Sequence, residues 1–247
     1  MNLSNEYLDS VNKLLNKDKI ELTLEQQKEI IRAYEQAFQN QVKKIKKCKS
    51  GTVAKKIAAV YSEQLYNELL DITEKYNEAM VDLYIDKTIE DLYSIQLESS
   101  KKEAFSTAND IEYKEFAKVV NKVSNVARQE IIEPLISGEI YKDNVGLSDR
   151  LWNVANSSGE RLSAAIQSCL AQGMGSVEMS KVLKEWAKEG HHTWNKAKIK
   201  EKLGEGYARA YGTQSLDYEA LRLARTVINH QSQIASKMAH KINPYIG

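Results

Sequence analysis

The chain is short of every common helix breaker. It has two prolines, Pro134 and Pro244, and eleven glycines in 247 residues, where ordinary usage of roughly 5% would supply about a dozen prolines. Proline removes a backbone donor and clashes with the preceding turn, and glycine costs backbone entropy, so a chain poor in both can sustain long helices. Residues 1–133 contain no proline. Cysteine is equally scarce. Cys48 and Cys169 stand far apart and outside any C-x-x-C pattern, which argues against a disulfide framework or a cysteine zinc site and fits a reducing compartment. The N-terminal stretch MNLSNEYLDSVNKLLNKDK is studded with charges and lacks the apolar core of a secretory signal. No window approaches the run of about 18 apolar residues that spans a membrane. The expectation from these absences is a soluble, all-α protein made in the cytoplasm.

Net charge is nearly absent too, with 35 Lys and Arg against 34 Asp and Glu. The average conceals a pattern in three parts. Residues 1–56 carry a net +5, residues 57–115 a net −9 and residues 116–247 a net +5. An acidic stretch thus lies between two mildly basic ones.

Helix punctuation divides the chain further. Ser4 can cap a short helix to about residue 16, and Thr23 with Gln26 forms a capping-box pattern that opens a second helix to about residue 47. Ser50-Gly51 interrupts it. From 52 to 98 no Gly or Pro occurs, and Ile57, Tyr61, Leu65, Leu69, Ile72, Tyr76, Ala79 and Leu83 alternate at steps of three and four, an apolar stripe of coiled-coil type. Such a helix either protrudes or breaks near Asp86-Lys87, where the stripe is weakest. Pro134 is expected to end a helix over 112–133, because the residue before proline is pushed out of the α region. Residues 137–147, with two glycines and mixed polar side chains, read as a linker between an elongated region, 1–136, and a C-terminal helical bundle, 148–247. Within that bundle Ser148 is placed to cap a helix over 149–172 and Ser176 one over 177–188. A short segment follows at 194–203, and a last long helix runs over 215–242 until Pro244 closes it.

No residue pattern signals catalysis, a cofactor or a metal. His191 and His192 are neighbours in a glycine-flanked turn, His230 and His240 lie ten positions apart on one helix, and no H-E-x-x-H, G-x-S-x-G or P-loop occurs. Surface or structural histidines are the plainer reading, and Trp152, Trp186 and Trp194 read as core anchors of the C-terminal helices. Two constellations stand out. Lys43, Lys44, Lys46, Lys47, Lys49, Lys55 and Lys56 place seven cations in 14 residues with no acid among them. They suit either a solvated helix end or a phosphate backbone, and without interleaved aromatics base stacking is not suggested. On the last helix, Arg222, Arg225, Thr226 and Asn229 lie at i, i+3, i+4 and i+7 opposite an apolar face of Leu223, Ala224, Val227, Ile228, Ile234, Ala235 and Met238. Two guanidiniums on one side suit a carboxylate of a neighbouring subunit or a phosphate, although an arginine stripe is most often packed along its stems with solvated heads.

The block LSDRLWNVANSSGERLSAAIQSCLAQGMGSVEMSKVLKEW, followed by EALRLARTVINHQSQIA, resembles the phage minor capsid and head-morphogenesis proteins. In that family a D-R-[IL]-W helix leads to a G-x-G/S turn, a short helix and an A-x-R-[IL]-A-R-T-E type helix. Asp149, Arg150, Leu151 and Trp152 match the first element, residues 173–176 the turn, and Arg222, Ala224, Arg225 and Thr226 the last. The likeness covers 148–246, about 40% of the chain. Val227 stands where the family has an acid, so an ion pair built on that position is not expected. Many members continue into a W-x-x-S tail that often bears Cys and His, whereas this chain stops at Pro244-Tyr245-Ile246-Gly247, as a fragment, a processed form or a short variant would.

The resemblance implies a non-enzymatic virion component. It would be made in the host bacterial cytoplasm, sit in the phage head against portal or capsid proteins, and assist assembly, DNA packaging or DNA delivery. Beside it, the residues themselves suggest Arg222, Arg225, Thr226 and Asn229 as a protein interface, the Lys43 to Lys56 run as a DNA-facing surface, and self-association through the 52–98 helix. A helical adaptor or scaffold, the helical delivery part of a toxin without its catalytic tail, and a nucleic-acid-binding module are the alternatives.

Overall fold

The structure, a computed structural model, describes residues 5–101, 125–126, 129–187, 194–213 and 216–242, with side chains at 17–84, 125–126, 129–187, 194–213, 216–235 and 237. Among them there are helices and no strands, so the protein is all-α. The helices are α1 (Asn5–Ile45), α2 (Gly51–Lys101), α3 (129–137), α4 (Leu147–Ala171), α5 (Ser176–Glu185), α6 (Lys196–Leu203), α7 (Glu205–Tyr211) and α8 (Tyr218–Ile242). Pro244, His191 and His192 lie outside the described residues, as do the side chains of His240 and Met238.

The first two helices are longer and plainer than their punctuation suggests. α1 runs through Thr23 without a break, and the Thr23 hydroxyl donates to the Lys19 carbonyl one turn back, 2.7 Å away. A threonine satisfied in this way sits inside a helix, so the expected capping box does not form. The break at Ser50 is real. Ser50 Oγ accepts from the Val53 amide and the Ser50 carbonyl from the Ala54 amide, which opens α2. α2 then continues past Asp86-Lys87 to Lys101 as one helix.

Two compact units are built from non-contiguous stretches, so chain order does not map onto them. One comprises residues 26–73 and 148–224, the other residues 1–25, 74–147 and 225–247. In the first, α1 buries Ile30, Tyr34, Phe38 and Ile45, and α2 buries Ile57, Tyr61, Leu65 and Leu69, the predicted stripe. Ala54, Ala58, Ser62 and Thr73 are buried as well. An arc this wide belongs to a helix inside a bundle rather than to a two-stranded seam. The apolar face that was to mediate self-association is therefore occupied within the chain from Ile57 to Leu69.

Gly159 shows how closely α2 and α4 pack. A Cβ there would lie 2.9 Å from the Ala58 carbonyl oxygen and overlap Ser62 Oγ, so only glycine permits this approach. In the second unit Met80, Val81, Tyr84, Ile131, Ile228 and Ala235 form the core, flanked by Leu22, Leu83, Ile132 and Ile234. Tyr84 and Ser232 share a buried hydroxyl hydrogen bond of 2.7 Å.

Several helix ends differ from expectation. Pro134 sits within α3, which continues to residue 137. The fully buried Ile131 and Leu135 hold that turn in the core, and the stop is Gly138, whose φ of +88° no helix accommodates. The expected linker is a set of ordered turns: the Tyr141 amide donates to the Gly138 carbonyl at 2.9 Å and the Asn144 amide to the Tyr141 carbonyl at 3.1 Å. α4 starts at Leu147, one residue before its expected cap, and the Ser148 hydroxyl meets the Tyr66 hydroxyl at 2.6 Å instead. Gly175 occupies the cap of α5, which moves Ser176 into its first turn. Asn195, not singled out from sequence, caps α6 by accepting from the Lys198 amide at 2.9 Å. The glycine-marked reorientation after residue 204 contains a further short helix, α7.

Candidate functional site

Both constellations named from sequence lie at the surface, in different circumstances. The seven lysines surround the turn that joins α1 to α2, and all seven are exposed. Val42, Ile45, Cys48, Ala54 and Ile57, interleaved with them, are buried. Apolar spacing therefore anchors the turn and turns every lysine outward. Cys48 Sγ lies 3.4 Å from the Ser50 carbonyl and completes the anchor. None of the seven lysines is ion-paired among the described residues. Other lysines are paired: Lys198 with Glu185 at 3.2 Å, Lys200 with Glu205 at 3.2 Å and Lys202 with Glu201 at 3.1 Å.

On α8 the predicted two-faced pattern is present. Ala224, Val227, Ile228 and Ala235 are buried, Leu223 and Ile234 half-buried, and Arg222, Arg225, Thr226 and Asn229 exposed. Arg222, Arg225 and Thr226 are each engaged within the chain, so they are less available than the lysines. Arg222 belongs to the unit of residues 148–224, and the other three to the unit that includes 225–247.

The tryptophans divide. Trp186 and Trp194 are buried as expected, but Trp152 is 45% exposed. Its position is a correction with a clear cause: Leu151 and Ala155 take the inward-facing places on α4, and Trp152 is carried to the edge. There it meets Tyr66 edge to face, with ring centroids 5.5 Å apart and planes at 84°. Exposed Asp149, Asn153 and Asn156 lie along the same helix.

Sequence reasoning missed a buried polar cluster at the centre of the 26–73/148–224 unit. Tyr34 and Ser158 share a 3.0 Å hydrogen bond, and Ser158 Oγ reaches the carbonyls of Val154 and Leu216, each at 2.9 Å. Arg161 Nη2 donates to Glu219 Oε1 at 2.5 Å, and its guanidinium carbon lies 6.0 Å from the Tyr211 ring centroid. Tyr207 lies between Tyr211, tilted against it with centroids 5.0 Å apart, and Trp186, which it meets edge to face at 5.7 Å. Burial raises the Tyr34 hydroxyl well above the usual tyrosine range, against the opposing hydrogen bond from Ser158, and burial likewise raises Tyr207. Both hydroxyls are neutral; that of Tyr34 is held by Ser158, whereas that of Tyr207 is buried with no hydrogen-bond partner among the described residues, and the cluster ties α1, α4, α7 and the start of α8 together. The signal available in sequence was Arg161 at helical spacing with Ser158, Ala165 and Ser168, an arginine on an inward face.

Among the described residues no three His, Cys, Asp or Glu side chains converge as a metal site would require. His230 is half-buried, its ring 5.4 Å from that of Tyr141. Both cysteines are buried and free. Burial, and secondly the charge of Glu178, pushes the Cys169 thiol up to about 11, which makes it a poor nucleophile. No helix among the described residues is long and apolar enough to cross a membrane. The fold and these surfaces define a class, an all-α protein with a basic hairpin turn and an exposed aromatic edge. Compared with known proteins, the chain matches no family model, no curated protein and no solved structure.

Proposed function

We propose that this protein is a non-catalytic, all-α structural component of a tailed-phage head, of the minor head type, which docks on portal or capsid protein and assists head assembly. The observation that carries the reading is the surface position of Trp152, inside the Asp149-Arg150-Leu151-Trp152 element that resembles the minor head family. An exposed tryptophan braced by a second ring is the kind of residue that anchors protein interfaces, where Trp, Tyr and Arg concentrate binding energy. On α8, the exposed Arg222, Arg225 and Asn229 suit carboxylates of such a partner. On this reading the protein resides in the virion after synthesis in the bacterial cytoplasm.

The test is incorporation. Particles assembled with Trp152→Ala, or with Arg222→Ala and Arg225→Ala together, should carry less of this protein, and less of it should co-purify with portal. Normal incorporation of both variants, each with a native circular dichroism spectrum, would overturn the proposal.

A further inference from the structure

We infer that the α1–α2 turn is a contact surface for the phosphate backbone of duplex DNA, used without regard to sequence. The inference needs only a polyphosphate and does not rest on the head-assembly reading; loss of portal docking would leave it standing.

Charge comes first. Seven lysines from Lys43 to Lys56 are exposed around one turn, and no described acid pairs with any of them. Lysines on α6 of the same unit pair with Glu185, Glu201 and Glu205. What marks the turn is the gathering of seven unpaired cations in 14 residues with no acid among them, where like charges repel one another until a polyanion screens them. The backbone beneath them is fixed by Val42, Ile45, Cys48, Ala54 and Ile57, all buried. The ammonium groups can swing on their flexible stems above this buried platform.

Composition then selects the partner. Protein interfaces have apolar or aromatic centres, are enriched in Trp, Tyr and Arg, and are depleted in Lys. Here there is no aromatic and no arginine, and Val53 is the exposed large apolar residue of the turn. A phosphate backbone asks for nothing beyond cations and small donors, because affinity comes from counterion release. The exposed Ser50 and Thr52 hydroxyls add such donors. Without aromatics there is no platform on which the bases of a single strand could stack. Without arginine, asparagine or glutamine in the run there is no bidentate reading of base edges. Lysine, a point charge on a flexible stem, accepts phosphates at many positions. The combination fits a duplex held by its backbone alone.

The experiment measures binding of the full chain to a fluorescein-labelled duplex of random sequence by anisotropy, between about 50 and 200 mM salt. With four or more phosphates engaged, the logarithm of affinity should fall against the logarithm of salt with a slope of about −3.6 or steeper. Replacing all seven lysines by Gln should lower affinity at least about tenfold at low salt and halve the slope or more, and replacing all seven by Arg should preserve both. A control with Lys196→Gln, Lys200→Gln and Lys202→Gln should keep the wild-type slope. Should the sevenfold Gln variant not fold, two partial variants, Lys43→Gln with Lys44→Gln and Lys46→Gln, and Lys49→Gln with Lys55→Gln and Lys56→Gln, should each lower the slope's magnitude. An unchanged slope in the turn variants, or an equal loss in the control, overturns the inference. So does polyglutamate binding at the turn when duplex DNA does not bind, which would assign the surface to an acidic protein.

Discussion

Arg161 and Glu219 join α4 to the first turn of α8 through a 2.5 Å contact between Nη2 and Oε1, with the arginine almost wholly buried beside the Tyr211 ring. A buried guanidinium is tolerated only with a partner, because removing it from water costs several kcal/mol. Arg161→Ala should therefore lower unfolding free energy by about 2–4 kcal/mol in urea titrations. The joint change Arg161→Met with Glu219→Leu, which removes both charges and keeps volume, should recover most of that loss. Equal losses in the two variants would show that packing, rather than the ion pair, holds this junction.

Gly159 makes a second prediction. Its missing side chain lets α4 approach Ala58 and Ser62 of α2. Gly159→Ala should cost about 1–3 kcal/mol through overpacking, despite alanine's better helix propensity. Adding Ser62→Ala should return only part of it, since the Ala58 carbonyl oxygen, 2.9 Å from the new methyl position, cannot be trimmed away. Thermal melts of the two variants decide the matter, and a stabilised Gly159→Ala would refute the close approach.

The tryptophans should separate by their surroundings. Trp152 forms one edge-to-face pair with Tyr66 and faces outward, so Trp152→Ala should cost about 0.5–1.5 kcal/mol. Trp186 is buried against Tyr207, so Trp186→Ala should cost about 3–5 kcal/mol. Chemical denaturation followed by far-ultraviolet circular dichroism checks both.

Stability should fall at alkaline pH. Burial, and then Glu178, pushes the Cys169 thiol from its ordinary 9.0 up to about 11, and the buried hydroxyls of Tyr34 and Tyr207 are raised as well. For a group whose folded pKa is raised, the unfolded chain loses its proton first. The thiol's contribution is thus complete below about pH 9 and declines as pH rises toward about 11. Urea midpoints should be level from pH 7 to about 9 and drop beyond it, and Cys169→Ala should make the first part of that drop shallower. A midpoint that rises above pH 9 would contradict the buried placement of these groups.

Much of this fold was legible in the chain. The scarcity of proline and glycine, with steps of three and four from Ile57 to Leu83, announced helices, and the same periodicity named the buried face of α2 from Ile57 to Leu69. The exposed stripe Arg222, Arg225, Thr226 and Asn229 was legible for the same reason, as were the seven outward lysines. Helix ends were read less well. A cap residue announces a turn only when its side chain has no better partner. Thr23 found the Lys19 carbonyl, Ser148 found Tyr66, and Gly138 rather than Pro134 stopped α3.

Local pattern thus determined that the chain is helical, which faces are apolar and where cations gather, because helix propensity and 3.6-residue periodicity act within a few turns. Tertiary structure alone decided which stretches share a core, that Arg161 lies buried against Glu219 while Trp152 faces outward, and that Gly159 admits α2. These outcomes depend on side chains brought together across 58 residues for Arg161 and Glu219 and 124 for Tyr34 and Ser158. Over such separations, three-dimensional packing and desolvation choose the partners, and no periodicity in one helix encodes the face of another.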